Sequence, residues 1–140
     1  MSGILPVAAM VAVLLGALWL VFVGAVCGIA PQRAQRGLAQ MGANWQVQLG
    51  EHIPRAIVGA AMIVHAAESA APQLFTIGGY FLVASSALIL ILPRRWHHDY
   101  ASWWAARIPL LAYRLLAIPV IAAGVLLALA TLSLSMPGIS

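Results

Sequence analysis

The chain has 140 residues, 64% of them hydrophobic and 7% charged, with a mean hydropathy of +1.00. A soluble domain carries about 25% charged residues, so this chain lacks the polar side chains to cover a water-facing surface. The net charge of +4 comes from arginines, without a single lysine. Their placement follows membrane topology and gives no reason to expect a nucleic-acid partner.

Backbone groups in lipid must be bonded internally, which leaves helices or a closed barrel. The apolar runs are rich in Leu, Ala and Val and do not alternate, which selects helices. The length suits about four helices of roughly 20 residues. The first span is expected over residues 4–30. It has no charge before it and is too long for the apolar part of a secretory signal, so it is expected to stay as a helix. Cys27 lies within it and is the only cysteine, so no internal disulfide forms. Val26 precedes it where a lipoprotein would carry a small residue, and it reads as a packed side chain.

A connection over residues 31–55 follows, with Arg33, Arg36, Trp45 and Arg55. The second span, residues 56–71, is shorter and less apolar and contains His65 and Glu68. A short turn leads to the third span, residues 74–92. The second long connection, residues 93–114, carries Arg94, Arg95, Arg107 and Arg114. The fourth span is expected over residues 115–135. All seven arginines thus flank the first and third connections. The positive-inside rule puts those connections in the cytoplasm and both termini on the periplasmic side of a bacterial inner membrane.

The two halves repeat. Without a gap, residues 16–33 align on residues 78–95, matching Gly16 with Gly78, Pro31 with Pro93 and Arg33 with Arg95. After a three-residue deletion, Trp45 meets Trp104 and Arg55 meets Arg114. Each copy reads as a helix ended by proline, an interfacial stretch with Arg and Trp, and a return helix. The expected fold is an all-α integral membrane protein with four transmembrane helices. They form one membrane domain, residues 1–140, of two tandem same-orientation helical hairpins, residues 4–71 and 74–135. An axis along the membrane normal would relate the copies.

The helix, "PRRW", amphipathic stretch and "YRLLAIPVIAAGVLLAL" of the second half resemble the YjeT-type small bacterial inner-membrane hairpin proteins. Pro93, Trp96 and Arg114 stand at that family's exit and re-entry positions, and the first hairpin matches more loosely. The chain departs from the pattern by being doubled and by lacking a tryptophan near Gln35 and Arg36. The family has no established chemistry, so the resemblance implies an accessory membrane protein.

Chemistry-bearing residues are few. His65 and Glu68 are three apart and share one helix face within a span. Ionisable residues at membrane depth raise a functional question. One reading is a polar contact between helices. A second is axial ligation of a tetrapyrrole, bacteriochlorophyll or haem, with Ala60, Ala61 and Ala66 leaving room for a flat ring. A third is a proton or ion path of a small transporter or channel, with Thr76, Ser85 and Ser86 for company.

The segment "PRRWHHDYASWWAAR" concentrates most of the remaining polar groups. A zinc site of His52, His97 and Asp99 is conceivable, but no helix-spaced histidine pair or cysteine accompanies it, and no metal is expected. The interfacial reading embeds Trp96, Tyr100, Trp103 and Trp104, while Arg94, Arg95, His98 and Arg107 face phosphates. Asp99 is expected to pair with Arg95 or Arg107. Ser102 lies near His98 but lacks an orienting group and an oxyanion hole, so no catalytic residue is expected.

Gly16, Gly24, Gly28, Gly59, Gly78 and Gly79 supply close-packing faces, Gly24 and Gly28 as a small-xxx-small pair, with Ala60, Ser85, Ser86 and Gly124 as further small positions. The expected partners are anionic lipids, other membrane subunits or further copies of the chain. The expected role is a non-enzymatic accessory or scaffold subunit of a membrane complex, with the tetrapyrrole-binding subunit and the small transporter as alternatives.

Overall fold

The computed structural model describes residues 3–133. Six α-helices follow in chain order: α1 (Ile4–Ile29), α2 (Pro31–Gln40), α3 (Trp45–His65), α4 (Pro72–Ile91), α5 (Arg94–Arg107) and α6 (Leu110–Leu132). A single 3-10 turn, Ala66–Glu68, closes α3. The described residues contain no strand. The order long helix, proline break, short helix, long helix occurs twice.

Three helices are long and apolar enough to cross a membrane: α1 with 26 residues, α4 with 20 and α6 with 23. They cover the expected first, third and fourth spans, of which residues 134 and 135 lie outside the described residues. The second span differs. The helix starts at Trp45, ahead of the expected residue 56, and its regular part ends at His65. Asn44 sets the start by accepting a 2.9 Å hydrogen bond from the Val47 N–H, an ordinary N-cap.

α3 fails a composition test for a span because of its first half, which contains Gln46, Gln48, Glu51, His52 and Arg55. Its faces explain how such a sequence packs. Gln48, His52, Gly59, Met62 and His65 are buried. Leu49, Ile53, Ile57 and Val64 are exposed. The polar stripe faces the protein and the apolar stripe faces outward, which inverts a soluble amphipathic helix.

α1 packs most extensively on α6, and α3 on α4. α1 also touches α3, and α2 lies on α5 across one end of the bundle. The expected hairpins would pair α4 with α6, but these two are not principal neighbours. The first long helix of each copy instead packs on the second long helix of the other. A two-fold exchange of the copies converts one of these pairs into the other.

Glycines make these seams close. A methyl group on Gly79 would stand 2.6 Å from the Gly59 carbonyl oxygen, and one on Gly59 would stand 2.8 Å from the Gly79 oxygen. On the other seam, a methyl on Gly24 would meet Ile121 at 2.6 Å, and one on Gly124 would meet the Ala17 oxygen at 2.7 Å. Gly28 faces Ala117, Gly16 faces Val58 and Gly78 faces Met62. All six expected packing glycines therefore contact another helix of the same chain.

Two glutamines repair what prolines remove. Pro93 has no N–H, so the Ile89 carbonyl loses its helical donor. Gln48 Nε2, fully buried on α3, donates to that oxygen at 3.2 Å. Pro109 likewise frees the Ala105 carbonyl, and Gln35 Nε2 donates to it at 2.8 Å. Each bond runs from one copy to the other. Gln48→Ala should destabilise the protein by about 1–3 kcal/mol, because it strands a buried carbonyl. Equilibrium unfolding in detergent micelles would measure the loss, and an unchanged midpoint would contradict this role.

Candidate functional site

Arg94 and His98 of "PRRWHHD" converge on one turn. Residues 41–44 join α2 to α3, and α5 lies over them. Gly42 has φ of +66°, the left-handed region in which glycine carries no penalty. A side chain there would also collide with α5, since a methyl would lie 2.9 Å from His97 Nδ1 and 3.2 Å from the His98 backbone nitrogen. Arg94 Nη1 donates to the Gly42 carbonyl at 3.0 Å and also to the Ala43 carbonyl. His98 Nδ1 lies 2.9 Å from the Met41 carbonyl and serves as its donor. Three consecutive carbonyls of the first copy are thus held by two side chains of the second.

Beneath this turn sits a cluster of titratable groups. His52 is 4% exposed and lies on the inward face of α3. Its ring centroid is 5.1 Å from that of His97, edge to face. His52 Nε2 is 4.0 Å from Glu51 Oε2. One donor atom from each of Glu51, His52 and His97 falls within a group no wider than 4.8 Å. Both ring nitrogens of His52, together with His97 Nδ1 and Glu51 Oε2, are buried without a hydrogen-bond partner. Burial, reinforced by the neighbouring His98, pushes the His97 imidazole below its usual range. It is the neutral ring that carries the lone pair a metal binds.

The metal set weighed from the sequence therefore changes in one member. His52 and His97 do meet, but Asp99 points away and is exposed, because α5 turns it to the opposite side. Glu51, on the turn of α3 that carries His52, takes the carboxylate place. Asp99 also forms no ion pair among the described residues. Arg107 instead lies 3.8 Å over the Trp103 ring and donates to the Trp103 carbonyl at 3.4 Å.

Arg33, Arg36, Arg95, Arg107 and Arg114 are exposed, as headgroup contacts require. Arg55 and Arg94 are not free for that role. Arg55 Nη2 donates to Ser85 Oγ on α4 at 3.0 Å, and Arg94 holds the turn. Trp45, Trp96, Tyr100, Trp103 and Trp104 are all exposed. Ala101 and Ala105 are the buried positions of α5. Beside His97, the aromatic rings of Trp96, Tyr100 and Trp104 border an apolar groove of about 590 Å³ that reaches Ile89 and Ile108.

At the other end of the bundle, His65 is 3% exposed. Its Nε2 donates to the Thr131 carbonyl at 3.2 Å, one of the last-turn acceptors of α6. Its Nδ1 lies 3.4 Å from Glu68 Oε2, and its ring packs against Phe75. The Ala70 N–H donates to the neighbouring Ala130 carbonyl at 3.0 Å. His65 thus belongs to a polar cap on α6. Its ring nitrogens are directed at protein groups, Ala61 and Ala66 are packed in the core, and Ala60 is exposed.

Sequence reasoning missed Gln35 and Gln48. The usable signal was a proline four residues after a carbonyl in the last turn of a helix, which strands that carbonyl. The partner lies 70 residues away in one case and 41 in the other, so no local pattern names it. Comparison of the chain with protein families, characterised proteins and solved structures finds no match.

Proposed function

We propose that the chain is a four-span, non-enzymatic accessory subunit of a membrane protein complex in a bacterial inner membrane. Its termini lie on the periplasmic side. α2 and α5 lie along the cytoplasmic interface, where exposed arginines and aromatic rings engage anionic lipid headgroups.

The observation that carries this reading is the inverted α3. Its outward stripe of Leu49, Ile53, Ile57 and Val64 suits hydrocarbon, and its polar stripe is buried on neighbouring helices. Twenty-one residues at 1.5 Å per residue give about 31 Å, close to the ~30 Å hydrocarbon core. The exposed arginines gather toward the α2–α5 end, while the exposed Glu68 closes the other. That asymmetry supports the orientation.

Two experiments test the reading. In a Cys27→Ser background, single cysteines at positions 37 and 67 should label from opposite sides of inside-out vesicles. Labelling of both from one side would remove α3 as a span. Native purification in a gentle detergent should recover a constant partner set, and a lone monodisperse chain would sink the accessory role.

A further inference from the structure

We propose that Glu51, His52 and His97 bind a divalent transition metal of the zinc class, which staples α3 to the interfacial helix α5. Two imidazoles and a carboxylate are donors that suit zinc. A tetrahedral ion with bonds of about 2.0–2.1 Å needs donors roughly 3.4 Å apart. The three donor atoms already lie within 4.8 Å of one another, so side-chain rotation alone brings them into range.

The strongest support is the set of polar atoms without partners. A buried donor or acceptor left unpaired costs stability and calls for an explanation, such as an ion or a water. Here each of the three residues carries such an atom: Glu51 Oε2, His97 Nδ1 and, on His52, both nitrogens, of which a single ion takes one. His52 is nine-tenths buried and more, and neither of its nitrogens is spent on protein. The other histidines differ in this respect. His98 Nδ1 is engaged by Met41 and His65 Nε2 by Thr131.

Charge is balanced against this. Arg55 is one turn from His52, and its guanidinium bonds to the neutral Ser85 hydroxyl on α4, so its charge stays beside the site and opposes the ion. Arg94 is directed at the turn carbonyls. The Glu51 carboxylate supplies the one negative charge in the cluster. The three ligands leave a position for water. The ion also has a mechanical consequence, because α5 otherwise rests chiefly on α2 and makes little contact with α3.

The test uses the full chain in detergent, with any affinity tag removed and metal stripped by chelator. Titration with Co²⁺ should give one ion per chain with the intense visible bands of a four-coordinate site, and Zn²⁺ should displace it. X-ray absorption of the zinc-loaded wild-type chain should count two imidazoles. His97→Gln should weaken binding by more than about 100-fold, beyond the range set by loss of an outer-shell partner. Asp99→Asn should bind as the wild type does. Helix content by circular dichroism checks that His97→Gln is folded, and His97 is half-buried, so its loss is milder than that of His52. Absence of stoichiometric binding, a shell without two imidazoles, or unchanged binding in His97→Gln would overturn the site and leave water as the partner of these atoms. The role as an accessory subunit stands or falls separately, on partner recovery.

Discussion

Gly79→Leu should abolish the folded bundle. The α3–α4 seam is closest at Gly59 and Gly79, where each glycine faces the other's carbonyl oxygen. Ile63 also crowds Gly79, its Cγ1 standing 2.7 Å from where a methyl would go. Overpacking a core costs about 1–3 kcal/mol when side chains can shift, and occasionally more. At this seam the obstacle is backbone, which cannot change rotamer, so the helices must part. Separation would pull Gln48 from the Ile89 carbonyl and Arg55 from Ser85, both of which cross the same seam. The expected loss exceeds about 3 kcal/mol. Size-exclusion chromatography in detergent should show aggregate in place of a monodisperse peak. Gly37→Ala is the matching control. Gly37 lies in α2 with nothing within 4 Å, so alanine there should stabilise by about 0.5–1 kcal/mol. Equal behaviour of the two variants would refute the role given to the seam.

Arg94→Ala should release the turn at residues 41–44 from α5. Arg94 donates to two consecutive carbonyls, and the residue is half-buried. Hydrogen bonds from a charged group are worth about 1.5–3 kcal/mol, so the expected loss lies in that range. The neighbouring Arg95, exposed and without a partner among the described residues, should cost less than about 0.5 kcal/mol on conversion to alanine. The two adjacent arginines thus separate a half-buried clamp from an exposed charge. Hydrogen exchange sharpens the comparison. Amides of residues 41–47 should lose protection in Arg94→Ala and keep it in Arg95→Ala. Loss of protection in both would mean that headgroup contact, not the clamp, orders the turn.

These results bear on how the two copies are joined. The links between them include a glutamine on the proline-stranded carbonyl at the α4–α5 and the α5–α6 junction, and a basic clamp on the turn. His97 and His98 have no counterparts at the matching positions of the first copy. One holds the turn and the other meets His52, so the additional histidines serve contacts that the second copy makes with the first. The glycine seams, by contrast, are present in both halves and run between copies.

The residues alone determined the class of the molecule. Composition required helices in lipid, and Pro31 and Pro93 marked the breaks at which α1 and α4 give way to α2 and α5. The glycines that allow close packing were all legible, because a missing side chain has the same meaning in any helix. The partner of each helix was not legible. Small-residue faces are nearly interchangeable in sequence, and only the folded chain pairs α1 with α6 and α3 with α4. The start of α3 was misjudged because its polar residues looked like a connection. They are carried inside a helix whose outward stripe is apolar, and average hydropathy does not see the difference. The Glu51, His52 and His97 cluster was half visible as two histidines in separate connections. Their meeting depends on α5 folding back over the turn at Gly42, and the choice of Glu51 over Asp99 depends on which way α5 turns its faces. Local chemistry is written along the chain, whereas the distance between its distant parts is set by packing.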